Sequence, residues 1–202
     1  INTTMNKTIK TAGLLLFLAG SIIIMGIITA EAFYPSGYTT ANSEISDLGA
    51  TVRPNSVRYQ PSASIFNYTM MLAGLLVTIA AYLQHTWFKK YLFTIPLLLL
   101  GIGMLGVGVF PGNKDPYHGI FALLTFNMGG LMAITSFKIV SAPFRYIGIV
   151  FGLITIITLW TASFFIPVIG DGGTERWVAY PVVFWLMGIG GYLLNEKLSD
   201  YN

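Results

Sequence analysis

The 202-residue chain is 54% hydrophobic and only 9% charged, against about 25% charged residues in a soluble domain. Its mean hydropathy is +0.70, and its net charge of +3 is spread over short loops. That excludes a soluble domain and the basic patch a nucleic-acid partner needs. The absence of cysteine excludes disulfides, thiolate nucleophiles and Cys-ligated metals.

Ile1 to Thr4 precede Met5 and read as a tag remnant or processed leader, leaving a single domain over residues 5–202. Apolar runs at about 11–30, 65–85, 91–110, 118–137, 146–166 and 177–194 each approach the roughly 20 residues that cross a bilayer core. The expected fold is an all-α integral membrane protein, a bundle of six transmembrane helices. Between the first two spans lies the longest loop, Tyr34 to Ser64, rich in Pro, Ser, Thr, Asn and Gly. Connections of that length are usually functional or disordered. Within it, Ile45 to Leu48 reads as a short amphipathic piece lying on the membrane surface. Trp87, Lys89 and Lys90 close the second span as an interfacial anchor. Pro111-Gly112 ends the third span, Ser141-Ala-Pro-Phe-Arg145 turns into the fifth, and Pro167 stops the fifth. Gly170 to Arg176 is expected as the turn before the sixth.

Six spans place both termini on one side. That side carries Lys7, Lys10, Lys89, Lys90, Lys138, Arg145 and Lys197, and the other carries Arg53, Arg58, Lys114 and Arg176. The positive-inside rule then puts both termini in the cytoplasm and the long first loop outside, in a multi-pass protein of the cell membrane. Most acids fall on the outer side: Glu31, Glu44, Asp47, Asp115, Asp171 and Glu175.

Small and polar residues recur at helical spacing: Asn67, Met71, Gly74, Thr78 and Ala81 in the second span, His118, Ala122, Thr125, Gly129 and Ala133 in the fourth, and Gly148 with Gly152 in the fifth. Such stripes are where membrane helices pack closely. Asn67 and Asn127 are expected to point into the bundle, because a carboxamide facing lipid is costly. Gly101-Ile-Gly-Met-Leu-Gly106 matches the dinucleotide fingerprint, but no strand precedes it and it lies inside a span. It reads as helix packing.

The polar residues that invite a function gather on the outer side. His118 opens the fourth span near Asp115. It reads either as a proton carrier or metal ligand, or as an interfacial histidine bonded to a loop carbonyl. Asp47, Arg53, Arg58, Glu175 and Arg176 either lock the long loop onto the bundle or hold a ligand's phosphate or carboxylate through an arginine. His85 and His118 stand at opposite ends of their spans and cannot bracket one haem. One histidine with several acids falls short of a zinc set, and no calcium-loop spacing occurs. No metal and no cofactor is expected. A hydrolase would use His118 with Asp47 or a loop serine, without a Gly-x-Ser-x-Gly elbow.

Ser46-Asp47-Leu48-Gly49-Ala50, Pro54, Ile65-Phe66-Asn67, Gly103 to Pro111, His118-Gly119 and Gly173-Thr-Glu175-Arg176 follow in an order that resembles an uncharacterised family of archaeal and bacterial six-span membrane proteins with a domain-of-unknown-function label. More distantly, Ile-Ser-Asp-x-Gly, Ile65-Phe66 and His118 to Ala122 are similar to the Frag/DRAM/Sfk group of eukaryotic membrane proteins, linked to lipid and GPI-anchor handling and to autophagy. The resemblance implies Asp47, Asn67, His118, Glu175 and Arg176 as signature residues. Together these readings point to binding of a lipid or other amphipathic molecule at an outward polar cluster of Asp47, Arg53, Asn67, His118, Glu175 and Arg176. A non-catalytic subunit of a larger membrane complex and an intramembrane lipid hydrolase are the alternatives. Membrane lipids, and in the second case other membrane subunits, are the expected partners.

Overall fold

A computed structural model describes residues 3–52 and 54–195. Its helices are α1 (Thr3–Ala32), α2 (Ser62–Phe88), α3 (Tyr91–Val109), α4 (Tyr117–Thr135), α5 (Arg145–Trp160) and α6 (Ala162–Asn195). The chain is 78% helix, with no strand among the described residues. Five of the helices are long and apolar enough to span a membrane, and α5 is a shorter apolar helix. In a bilayer core only helices and closed barrels satisfy their backbone groups internally.

Each helix packs against its sequence neighbours, and α6 returns to α1, so the helices close a ring in chain order. Glycines set the close approaches. A Cβ on Gly13 would lie 2.8 Å from Gly190 O, which locks α1 against α6. The Gly101-x-Gly-x-x-Gly106 stretch serves both neighbours of α3. A Cβ on Gly101 would meet Thr78 N at 2.8 Å in α2, one on Gly103 would meet Thr125 N at 2.9 Å in α4, and one on Gly106 would enter the Phe121 ring. The fingerprint-like sequence is a packing device, as expected. Gly148 accommodates the buried Trp185, whose indole donates to Ser136 Oγ at 3.1 Å.

Two expectations about the last third of the chain need correction. The fifth span was expected over 146–166, yet α5 ends at Trp160, where Thr161 N donates back to Ile157 O at 3.0 Å. Contacts between Gly148 and Trp185 and between Thr155 Oγ1 and Val178 O (2.9 Å) set an antiparallel register that leaves 161–172 as the connection. That connection is itself helical over 162–169, and Pro167 does not stop it. The break falls at Gly170, with φ +77° and ψ 171°. Helical structure resumes at once, so Glu175 and Arg176 lie within a helix rather than in a turn.

The long loop also departs from its expectation. It is neither disordered nor on the membrane surface. Ser46–Leu48 forms one 3-10 turn, and Ile45, Leu48 and Ala50 are buried against the end of the ring. The hydrophobic pattern seen in Ile45 to Leu48 is used inward, as a plug. Asn127 is corrected too. Instead of the bundle interior it meets Trp160, accepting from the indole at 3.0 Å, while its amide donates to Leu123 O at 2.8 Å. A local bond of that kind satisfies a carboxamide without burying it.

Candidate functional site

The loop plug, the α3–α4 turn and the α5–α6 connection meet at one end of the ring. Arg176 organises that end. Its Nη1 donates to Thr40 O, Ser43 O and Gly172 O, each at 2.9 Å, and its Nη2 to Tyr38 Oη at 2.8 Å. Tyr38 passes the bond on to Glu44 O at 3.0 Å. Backbone also lies on backbone here: Gly173 N donates to Ala41 O at 3.0 Å. A Cβ on Gly172 would collide with Ser43 O, so the glycine run is what lets the loop approach α6. Of the two readings of the arginine, the loop lock is the one the geometry bears. Both terminal nitrogens of the guanidinium are bonded to neutral oxygens of the protein, while its Nε is buried without a hydrogen-bond partner among the described residues.

Asp47 has a local task. Its Oδ2 accepts from Glu44 N at 3.0 Å and closes the turn that presents Ser46. Glu175 accepts from Ile45 N, which pins the plug from the helix side. Burial raises the Asp47 carboxyl above its ordinary range, with Asp171 adding to the shift and the Glu44 N–H and His118 opposing it. Burial also raises Glu44, reinforced by Asp47 and opposed by the Ser46 hydroxyl. Burial raises the Tyr38 phenol despite the arginine beside it.

Beneath the plug are two adjoining cavities. The first is a partly open chamber of ≈ 70 Å³, several times what one water needs on the same measure. It runs down the ring and is walled mainly by apolar side chains such as Ile23, Met70, Met104, Val182 and Leu186. The second is a vestibule of ≈ 320 Å³ between α4, α5 and α6. It carries Glu44, Asp115, Asp171, Thr174 and Glu175 together with apolar Leu159 and Ile166. Ser46, His118, Ala122, Phe126 and Glu175 border both, and so form the neck between them. Side chains of α5 line the vestibule but not the chamber.

His118 is 7% exposed, and its Nδ1 lies 2.8 Å from Phe110 O. A carbonyl only accepts, so Nδ1 carries the proton in the neutral ring and Nε2 is left as an acceptor. The loop-carbonyl reading of His118 therefore holds, and it leaves one nitrogen for the cavities.

Among the expected site residues, the structure brings His118 and Glu175 together at the neck, with Arg176 and Asp47 supporting the plug. Arg53 lies outside the described residues, and Arg58 is exposed. Asn67 is 5% exposed and points inward as expected, but it borders neither cavity. It sits beside Gly49 and Gly108, and neither its Oδ1 nor its Nδ2 finds a partner among the described residues. Sequence reading missed Ser46, Ala122 and Phe126 as neck residues. Ser46 had entered as part of the Ser46–Ala50 motif, Ala122 only in a small-residue stripe and in the His118-to-Ala122 resemblance, and Phe126 gave no signal among so many apolar neighbours. No group of three His, Asp or Glu side chains among the described residues is placed to hold a metal ion.

An all-helical chain with five helices fit to span a bilayer is a multi-pass membrane protein. Residues 18–191 match the family described as "Protein of unknown function (DUF998)", and the chain belongs to that family. Comparison with curated proteins and with solved structures returned no match.

Proposed function

We propose that this protein binds a lipid or another amphipathic molecule, with the apolar tail in the chamber and the polar head in the vestibule. The observation that carries the reading is the pairing, across one neck, of an almost wholly apolar cavity with one whose largely apolar wall also carries several carboxyl groups. Ligand pockets are typically apolar with a few placed polar groups, and here the two chemistries are sorted along one axis. The vestibule is walled by α4, α5 and α6, which suits entry sideways from the membrane. The excess of lysine and arginine on the opposite loops supports placing that end outside the cytoplasm and both termini within it, in the cell membrane. The distant likeness to the Frag/DRAM/Sfk group agrees with a lipid-related role.

Native mass spectrometry from mild detergent tests this. Wild type should carry a discrete adduct of lipid-like mass. Ala122→Trp, which fills the neck, should lose it, whereas Tyr82→Ala on the exposed face of α2 should keep it. An adduct retained by Ala122→Trp refutes the site. A clean mass for wild type would instead favour an accessory subunit of a larger membrane complex. A second reading, a lipid hydrolase, draws on Ser46 and His118 sharing the neck. The Ser46 hydroxyl, however, is directed to Glu44 Oε2 at 3.3 Å. Turnover of lipid esters by wild type but not by Ser46→Ala would establish it.

A further inference from the structure

We propose that the head of the bound molecule carries a protonated amine. This rests on the reading that the paired cavities hold an amphipathic molecule, and it names the chemistry of the head. The ionisable groups that line the vestibule are four carboxyls, Glu44, Asp115, Asp171 and Glu175, and the imidazole of His118. No lysine or arginine among the described residues lines it. Two cations adjoin these acids in sequence: Lys114, beside Asp115, is exposed and not among the lining side chains, and Arg176, beside Glu175, gives its terminal nitrogens to Thr40 O, Ser43 O, Gly172 O and Tyr38 Oη. A phosphate head would find no charged donor here and several negative neighbours, the reverse of what binds phosphate.

His118 makes the same point independently of the acids. Its ring is more than nine-tenths buried and borders both cavities, with Nδ1 committed to Phe110 O. Its Nε2 has no partner among the described residues and, in that tautomer, presents a lone pair. A lone pair at the neck asks for a donor. An ammonium offers three, enough to meet His118 Nε2 and a carboxylate at once. A bare metal ion is the other cation to weigh, but no three ligating side chains among the described residues stand close enough to hold one. The acids form a gradient rather than a cage: Asp115 and Asp171 are exposed at the rim, and Glu44 and Glu175 are half-buried further in. Such a gradient draws a cation toward the neck by its long-range field.

The test uses the full chain, delipidated in a neutral maltoside, and titrates four probes read by native mass spectrometry. The probes are a hexadecylammonium salt, a phosphatidylethanolamine, a phosphatidylglycerol with the same acyl chains, and a hexadecanoyl monoglyceride. At least one amine-bearing probe should bind roughly tenfold or more tightly than its amine-free counterpart, as expected for a charge-assisted hydrogen bond. Which of the two amines wins distinguishes a simple long-chain amine from an aminophospholipid. Glu175→Gln keeps a carbonyl oxygen for Ile45 N–H, and Asp171→Asn alters only the rim. Each should weaken the preferred amine by a larger factor than it weakens the monoglyceride, Glu175→Gln by about tenfold more and Asp171→Asn by less. Equal binding of amine and monoglyceride, or a preference for phosphatidylglycerol, overturns the amine and leaves the amphipathic site standing. Binding of none of the four overturns both.

Discussion

Replacing Arg176 with alanine should release the loop plug while leaving the helical ring folded. The guanidinium is buried and reaches four oxygens at 2.8–2.9 Å. A hydrogen bond from a charged donor is worth about 1.5–3 kcal/mol. Nη1 has two hydrogens for three carbonyls, so the set counts as fewer than four full bonds. Thr40 is exposed and Ser43 half-buried, so both carbonyls regain water on release, which favours the low end of the range. The docking free energy lost is then roughly 3–5 kcal/mol. Glu175 still holds Ile45 N in the variant, so the loop loosens rather than leaves. Hydrogen exchange in detergent is the assay, because local opening is read amide by amide. The amides of Leu48 and Gly49, bonded to Ile45 O and Ser46 O, should lose about a hundredfold of their protection or more. Amides in the middle of α2 and α3 should not change. Arg176→Lys should fall between, since one ammonium cannot span oxygens that a fork reaches. Wild-type protection at Leu48 and Gly49 in Arg176→Ala would refute the loop lock. Equal loosening of α2 and α3 would show that the arginine supports the ring itself.

Gly172→Ala should mimic that loosening by a different route, because its Cβ would strike Ser43 O; ordinary loop protease resistance in this variant would contradict it. Lower pH should tighten the plug. Glu44 and Asp47 are both raised in the folded state, so the stability their protonation lends is complete below the ordinary carboxylate range and fades as pH rises through the folded values. Loop protection, corrected for intrinsic exchange, should therefore increase from about pH 7.5 to about pH 5, and a flat or rising profile with pH would be inconsistent. Asn67→Leu should raise the thermal midpoint, since it removes two buried polar atoms without partners, a penalty of about 1–3 kcal/mol; a fall of several degrees would show that the carboxamide is satisfied. Thr155→Val should destabilise modestly, by about 0.6 kcal/mol, through loss of the bond to Val178 O.

The fold was legible wherever one physical rule dominated. Apolar runs located α2 to α4 within about three residues and the end of α1, although α1 begins at Thr3, well before its expected start near residue 11, and the glycine spacing of α3 foretold close helix packing. The rule weakened at the fifth span. Residues 146–166 are uniformly apolar, so hydropathy alone does not separate α5 from the cross-connection that follows it. The break at Gly170 is a property of one backbone angle. The candidate site was legible as an assortment of residues but not as an arrangement. His118, Glu175 and Arg176 stood out as polar groups gathered on the outer side. That Arg176 faces loop carbonyls while His118 and Glu175 face a cavity depends on how a 29-residue loop, 33–61, folds back, and no periodicity encodes that. Asp47 was visible as a charge; its task, capping the Glu44 amide, belongs to turn geometry.

The shortness of α5 has a consequence for the surrounding bilayer. Its 16 residues rise only about 24 Å, less than the ~30 Å of a typical hydrocarbon core. Trp160 closes it with 67% of its surface exposed, and Phe164 follows at 77% on the cross-connection. Aromatic side chains in such positions settle at the level of lipid head-groups. A bilayer meeting so short a helix responds to the hydrophobic mismatch by thinning along this flank, in the leaflet on the plug side. Leu159, Ala162 and Ile166, on the same flank, also line the vestibule. On the proposed reading, head-groups would then lie nearest the depth of the neck on the flank where the vestibule opens, and a molecule passing from leaflet to vestibule would travel sideways at nearly constant depth.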